Sequence, residues 1–179
     1  TACASAVATK ALANSKTPVL GILGAGVQAR SHIQALSRVR KIAQIKIYSP
    51  SGSSAAAIQK YFELKTGVEI ELAQSPEEAL QDADLVVTAS TAKTPIVKAE
   101  FLKSGAHINA VGSHRPDMRE LDGATVARAK VLVDSREAIM AECGDILLAI
   151  EEKSIGSDHI HGEIGEVLAG SKAGRSSAD

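Results

Sequence analysis

The stretch VLGILGAGVQARSHIQAL, Val19 to Leu36, decides the fold. Val19 to Leu23 is a short apolar run closed by glycine, the pattern of a strand buried on both faces of a parallel sheet. After it, Ala29, Ile33, Leu36 and Val39 recur at helical spacing, with Arg30, Gln34 and Arg38 between them. The join is Gly24-Ala25-Gly26, with Ala29 in a third small position. Two readings fit such a join. One is a strand-to-helix turn that only needs small residues. The other is a dinucleotide cradle. There Gly24 allows the tight turn, Gly26 lets backbone approach a pyrophosphate, and Ala29 lets the helix sit close to the sheet. The free N–H groups of the helix start then face the phosphates.

The rest of the chain favours the cradle. A helix-compatible segment, TACASAVATKALA, opens the sequence, and Lys16-Thr17-Pro18 breaks it. Ile45 to Tyr48 reads as a second strand, ended by Ser49-Pro50-Ser51-Gly52, and Ala55 to Leu64 as a helix. Val68 to Leu72 alternates apolar and acidic residues, as a strand near a sheet edge does. Ser75-Pro76-Glu77-Glu78 is a helix start with Ser as N-cap. Asp84 to Thr88, Ala106 to Val111 and Lys130 to Val133 read as strands four, five and six. Helices are expected from Leu121-Asp122 onward, over Ser135 to Glu142, and over Ile164 to Leu168. Strands alternating with helices predict an α/β fold, a doubly wound parallel sheet with helices on both faces and strand order 3-2-1-4-5-6.

Composition sets the remaining bounds. At 179 residues the chain is one ordinary domain that needs neither disulfide nor metal to fold. A net charge of −1 offers no field to draw in nucleic acid or an acidic membrane, and 2% aromatics leave no stacking platform. Cys3 and Cys143 are expected to be reduced thiols of a cytoplasmic protein. No apolar run is long enough for a membrane span. The abrupt start without Met and the polar fade AGSKAGRSSAD are expected of a fragment.

The end of the second strand bears on the cofactor. An NAD site usually places a carboxylate there for the ribose hydroxyls. Tyr48 is followed instead by SPSGSS, with the hydroxyls of Ser49, Ser51 and Ser53 and a helix start beyond. That favours NADP(H) over NAD(H), with Arg30 as a further candidate for the 2′-phosphate. An ordinary turn tolerant of both cofactors is the plainer alternative.

Six stretches, in this order and spacing, resemble the ornithine cyclodeaminase/mu-crystallin family. They are TACASAVATKAL, LGILGAGVQARSHIQAL, ADLVVTASTAKTPIV, KSGAHINAVGSHRPDMRELD, KVLVDS and HGEIGEVLAG. GAHINAVGS followed by RPDMRELD is the most specific piece. The resemblance covers nearly the whole chain and implies an NAD(P)(H)-binding Rossmann domain acting on amino acids or cyclic imines. It implies that Gly24, Ala25, Gly26, Val27 and Gln28 hold the pyrophosphate, and that Ser49 and Ser51 meet the adenosine ribose. It implies that Thr88, Ala89 and Ser90 line the other half of the cofactor, and that Val111, Gly112, Ser113 and His114 pass beside the nicotinamide. Ornithine cyclodeaminases carry Asp where this chain has His114. The resemblance therefore favours reduction of a small cyclic imine such as pyrroline-2-carboxylate, or oxidation of the matching amino acid. Conversion of ornithine to proline and ammonia is an alternative. A non-enzymatic holder of NADP(H) and a small ligand is another. An imidazole, with a pKa near ~6.5, could exchange a proton with the imine nitrogen, which makes His114 the catalytic candidate.

The resemblance also implies a substrate-binding Arg just ahead of the first helix, an upstream catalytic Lys, and a substrate and dimerisation domain. All would lie outside Thr1 to Asp179, so the expected layout is a linking helix over 1–15, the cofactor domain over 16–170 and a polar tail over 171–179. The parent is expected to be a homodimer, and this chain alone is expected to turn over little substrate. His159, His161 and Glu163 in DHIHGEIGE alternate, but no fourth ligand accompanies them, so no metal is expected and a loop into the last helix is. His107 is expected to be buried, Asn109 to bond nearby backbone, His32 to face outward, Cys143 to be a buried small residue and Asp122 to cap a helix.

Overall fold

The computed structural model describes residues 1–14 and 18–176. They fall into two compact units. The first holds Thr1–Ser90 and Phe101–Val111, and the second holds Thr91–Glu100 and 112–176.

The first unit begins with α1 (Ala2–Leu12), β1 (Val19–Leu23), α2 (Val27–Val39), β2 (Gln44–Tyr48) and α3 (Gly52–Thr66). It continues with β3 (Glu69–Leu72), α4 (Pro76–Leu80), β4 (Leu85–Thr88) and β5 (His107–Ala110). All five strands are parallel, in the order β3-β2-β1-β4-β5. The core explains the apolar runs. Leu20, Ile22, Leu85 and Val87 are fully buried beside Ile33 and Leu36 of α2 and Ile58 of α3. Ser75 caps α4 as expected, its hydroxyl accepting the Glu78 N–H, with Pro76 in the first turn. α3 starts at Gly52, three residues before the expected Ala55, with Ser51 at the N-cap position but without a side-chain cap bond. The break expected at Lys16 and Thr17 lies outside the described residues, as do residues 177–179 of the expected polar tail.

One expectation fails inside α2. His32 faces inward and is fully buried. Its Nδ1–H donates to the Gln28 carbonyl at 2.8 Å, and its Nε2 accepts the Ser5 hydroxyl of α1 at 3.0 Å. α1 is further tied down by Asn109 of β5, whose Nδ2 donates to Thr9 Oγ1 at 3.1 Å rather than to nearby backbone.

The second unit contains α5 (Gly123–Arg128), β6 (Val131–Val133), α6 (Arg136–Glu142), α7 (Gly144–Glu151), β7 (Ile160–Glu163) and α8 (Ile164–Leu168). Asp122 caps α5 by accepting the Thr125 N–H at 2.7 Å. The sixth strand forms where it was expected but does not extend the large sheet. β6 pairs in parallel with β7 in a separate two-stranded sheet. Backbone N–H and C=O groups require partners, and Ile160–Glu163, expected to be loop, supplies them as a strand. Ile160 and Gly162 turn inward on β7, while His161 stays half-exposed with its Nε2 donating to the Ala173 carbonyl at 2.9 Å. α7 was not foreseen at all.

Candidate functional site

The C-terminal ends of the parallel strands in the first unit form one aligned edge. Leu23 of β1 stands level with Tyr48 of β2 and Thr88 of β4, and Thr88 with Ala110 of β5. The ladder runs one residue further at each step. The Gly24 N–H donates to Tyr48 O at 2.8 Å, the Ala89 N–H to Leu23 O at 2.8 Å, and the Val111 N–H to Thr88 O at 2.9 Å. Gly24, Ser49, Ala89 and Val111 are thereby brought to a single rim. The strand order reverses there between β1 and β4, which is where open parallel sheets bind ligands.

The two glycines of the turn differ in kind. Gly24 has φ +106°, and a Cβ on it would collide with the Ala89 carbonyl. Gly26, the N-cap of α2, has φ −88°, and a Cβ there would meet nothing within 4 Å. The first is required by the fold. The second faces open space, where only an incoming group would notice a side chain. No side chain caps α2, and no acid sits in its first turn. The Val27, Gln28 and Ala29 amides are therefore left to an anionic guest. On the neighbouring strand the Thr88 hydroxyl is fully buried with no hydrogen-bond partner among the described residues. A glycine-lined anion seat at a helix start, on the rim of a parallel sheet, is what a dinucleotide needs, and these residues fit one.

Beside the seat, a cleft of about 320 Å³ is lined by Ile47, Tyr48, Ser49, Pro50, Gly52, Ala55, Leu72, Ala73 and Gln74. Ser49 is half-buried in its wall. Ser51 is exposed, and its hydroxyl lies 3.2 Å from that of Ser53 and 3.3 Å from that of Ser54 at the start of α3. Arg30 of α2 points toward α3, its guanidinium 6.0 Å from the centre of the Tyr61 ring.

In the second unit, Gly112 and Ser113 are buried and His114 is exposed. The Ser113 hydroxyl faces inward and donates to Asp145 at 2.6 Å. Asp145 also accepts the Glu120 and Leu121 N–H groups at 2.8 and 2.9 Å. Burial pushes its carboxyl up, and those three donors oppose the shift. The fully buried Glu120 accepts the Gly112 N–H at 2.7 Å. The His114 Nδ1–H donates to the Gly112 carbonyl at 2.8 Å, leaving Nε2 outward. Burial raises the Cys143 thiol above its ordinary range, so it rests as a thiol 3.4 Å from Ser113. Arg119 donates to the Leu121 carbonyl and pairs with Glu152, holding that carboxyl below its usual range. Glu120 and Asp145 were missed as supports of this turn. Asp145 had a visible signal, a lone acid opening the apolar run Ile146 to Ile150. Among the described residues no three His, Cys, Asp or Glu side chains are grouped to hold a metal, and no helix is long and apolar enough to cross a membrane.

Known proteins give a consistent picture. The model of the "Ornithine cyclodeaminase/mu-crystallin family" matches residues 1–179. A Δ1-pyrroline-2-carboxylate reductase of Bacillus cereus is 40% identical over 172 residues, which is 96% of this chain and 53% of that protein. The ketimine reductase mu-crystallin of Mus musculus is 41% identical over 96% of this chain and 51% of its own length. A solved Δ1-pyrroline-2-carboxylate reductase of Thermococcus litoralis, in complex with NADH and L-proline, superposes with a TM-score of 0.94 at 40% identity. It covers 98% of this chain and 54% of its own. The chain thus spans about half the length of the curated relatives it matches.

Proposed function

The chain belongs to the ornithine cyclodeaminase/mu-crystallin family, and from that premise we propose that it is the cofactor-binding part of an NAD(P)-dependent reductase of small cyclic imines. The observation that carries this is the contrast within the turn, where Gly24 serves the fold and Gly26 opens onto free space at an uncapped helix start. Gly24 to Gln28 hold the pyrophosphate through backbone amides. Ser49 and Ser51 serve the adenosine end. Thr88, Ala89, Ser90 and Val111 line the rim toward the nicotinamide, with Gly112 and Ser113 next in the chain.

The bound cofactor supplies hydride to the carbon of the C=N bond. The share of this chain is to orient and to move a proton. With Nδ1–H tied to the Gly112 carbonyl, His114 presents Nε2 to the solvent side. Protonated there, it gives its proton to the imine nitrogen, and in the amino-acid-oxidising direction it takes one back. His114 also stands where the resemblance implies an Asp in the cyclodeaminases, so imine reduction is favoured over ornithine cyclodeamination.

The 2′-phosphate of NADP(H) is the proposed guest of the serine-rich start of α3. The loop carries no carboxylate to repel it, and Ser51, Ser53 and Ser54 share one hydroxyl cluster. The Thermococcus protein was solved with NADH, so this preference is a property of SPSGSS and is tested there. The parent is proposed to act as a homodimer, and its two free cysteines fit a reducing compartment. Separate calorimetric titrations of NADPH and NADH into the chain should give tighter binding of NADPH. Equal dissociation constants remove the preference, and no heat from either removes the cofactor reading.

A further inference from the structure

Two buried carboxylates of the second unit end on the same short turn. Glu120 accepts the Gly112 N–H, and it packs so tightly over Gly112 that a methyl group there would overlap its carboxylate. Asp145 accepts the Ser113 hydroxyl on one oxygen and the Glu120 and Leu121 N–H groups on the other. The bonds close a ring: turn, Ser113, Asp145, Glu120 backbone, Glu120 carboxylate, and back to the turn. Burying two carboxylates is costly unless each is fully hydrogen-bonded. An ordinary turn needs only Gly, Asn or Ser.

The ring bears on His114. The peptide plane between Gly112 and Ser113 sets the direction of the Gly112 carbonyl. The residues on its two sides are anchored, Gly112 through its N–H to Glu120 and Ser113 through its hydroxyl to Asp145. That carbonyl accepts both the His114 backbone N–H, at 3.0 Å, and the Nδ1–H of its ring, at 2.8 Å. A carbonyl can only accept, so the neutral ring carries its proton on Nδ1 and its lone pair on Nε2. A free histidine side chain prefers the opposite tautomer.

We propose that Glu120 and Asp145 are positioning residues for His114, holding the Gly112-Ser113 turn so that the imidazole keeps its Nδ1–H form with Nε2 turned outward. The assignment rests on the reading of His114 as proton donor to the imine. Neither carboxylate touches the reacting atoms. Their effect passes through the turn.

The test reads the tautomer directly, by ring ¹⁵N shifts of histidine-labelled chain at alkaline pH, where imidazole rings are neutral. Wild type should show Nδ1–H. Ser113→Ala cuts the link to Asp145, and Glu120→Ala frees the Gly112 N–H. Both should shift His114 toward Nε2–H. Glu120→Gln, whose amide oxygen still accepts that N–H, should restore the wild-type form. His159 is the internal control, since its Nε2 donates to the Val126 carbonyl at 2.9 Å in the same unit and should not move. An unmoved His114 in both Ser113→Ala and Glu120→Ala, with His159 intact, overturns the proposal. If Glu120→Ala loses the His159 signal through unfolding, Ser113→Ala alone decides. No cofactor is needed, so this result stands apart from the titrations that test the functional reading.

Discussion

Gly24 and Gly26 are two residues apart and do different work, so the same substitution should have opposite consequences. At Gly24 alanine meets a left-handed backbone and the Ala89 carbonyl at once. Gly24→Ala should cost more than about 1 kcal/mol of stability, visible as a fall in the denaturation midpoint. At Gly26 neither obstacle exists. Gly26→Ala should leave the midpoint close to wild type and weaken cofactor binding by about tenfold, equivalent to about 1.4 kcal/mol. A midpoint that falls for Gly26→Ala with affinity unchanged would mean that the open space is not a phosphate seat. Both glycines were legible in the sequence because their spacing is a backbone requirement. Glu120 and Asp145 were not read as supports of the His114 turn. Their partners lie 8 residues away for Glu120 and 24 to 32 away for Asp145, a separation no local pattern records.

At the scale of the element, α1 is the informative case. Its apolar face is thin, with Ala6 and Leu12 as its buried hydrophobic residues. Polar ties hold much of it in place. The Arg40 guanidinium donates to the Thr9, Lys10 and Ala13 carbonyls at 2.9, 3.2 and 3.2 Å, at the helix end where a cation is favoured. Arg40→Met keeps the stem and loses these bonds. It should cost about 1–3 kcal/mol and speed hydrogen exchange across α1. Arg40→Lys should recover only part, because one ammonium cannot reproduce the planar fork. His32 supplies the second tie. Burial lowers its pKa, its bond to Gln28 opposes that, and the N-terminal charge adds to it. In the unfolded chain it titrates near ~6.5. The unfolded state therefore takes up the proton first as pH falls. The contribution of His32 is complete above ~6.5 and is lost as pH drops toward and through the lowered folded value. Denaturation at pH 7.5 and pH 5 should show a larger loss for wild type than for His32→Gln. Equal losses would mean that His32 is not the titrating tie. Its burial was in fact legible, since position 32 falls three residues after Ala29 and four before Leu36, on the face that packs inward. The polar residue type drew the reading outward.

The doubly wound pattern was readable across the first unit because each strand of the large sheet carries its own apolar signal and its own turn. The sixth strand was readable as a strand but not as a partner of β7. Ladder partners are fixed by which backbone groups lie within reach, and Ile160–Glu163 carries too little apolar periodicity to announce itself. The same limit applies to function. This chain spans 53% of the Bacillus cereus reductase, and the resemblance implies a substrate-binding Arg and a catalytic Lys ahead of Thr1. Binding of cofactor and turnover of imine should therefore separate. With NADPH at 100 times its dissociation constant, the chain should gain about 2.7 kcal/mol of stability, read as a higher thermal midpoint. With pyrroline-2-carboxylate added, NADPH absorbance should hold constant on the timescale over which a complete relative of the family consumes it. On that reading the carboxylate anchor that brings the C=N carbon within the ~3–3.5 Å that hydride transfer requires is supplied by the Arg the resemblance implies. A stabilised chain that leaves NADPH untouched is the expected pair of results. Steady consumption of NADPH by the 179 residues alone would move the substrate anchor into this chain. The exposed cations of the second unit that pair with the exposed Asp117, Arg115 and Lys93, would then be the first residues to change to methionine.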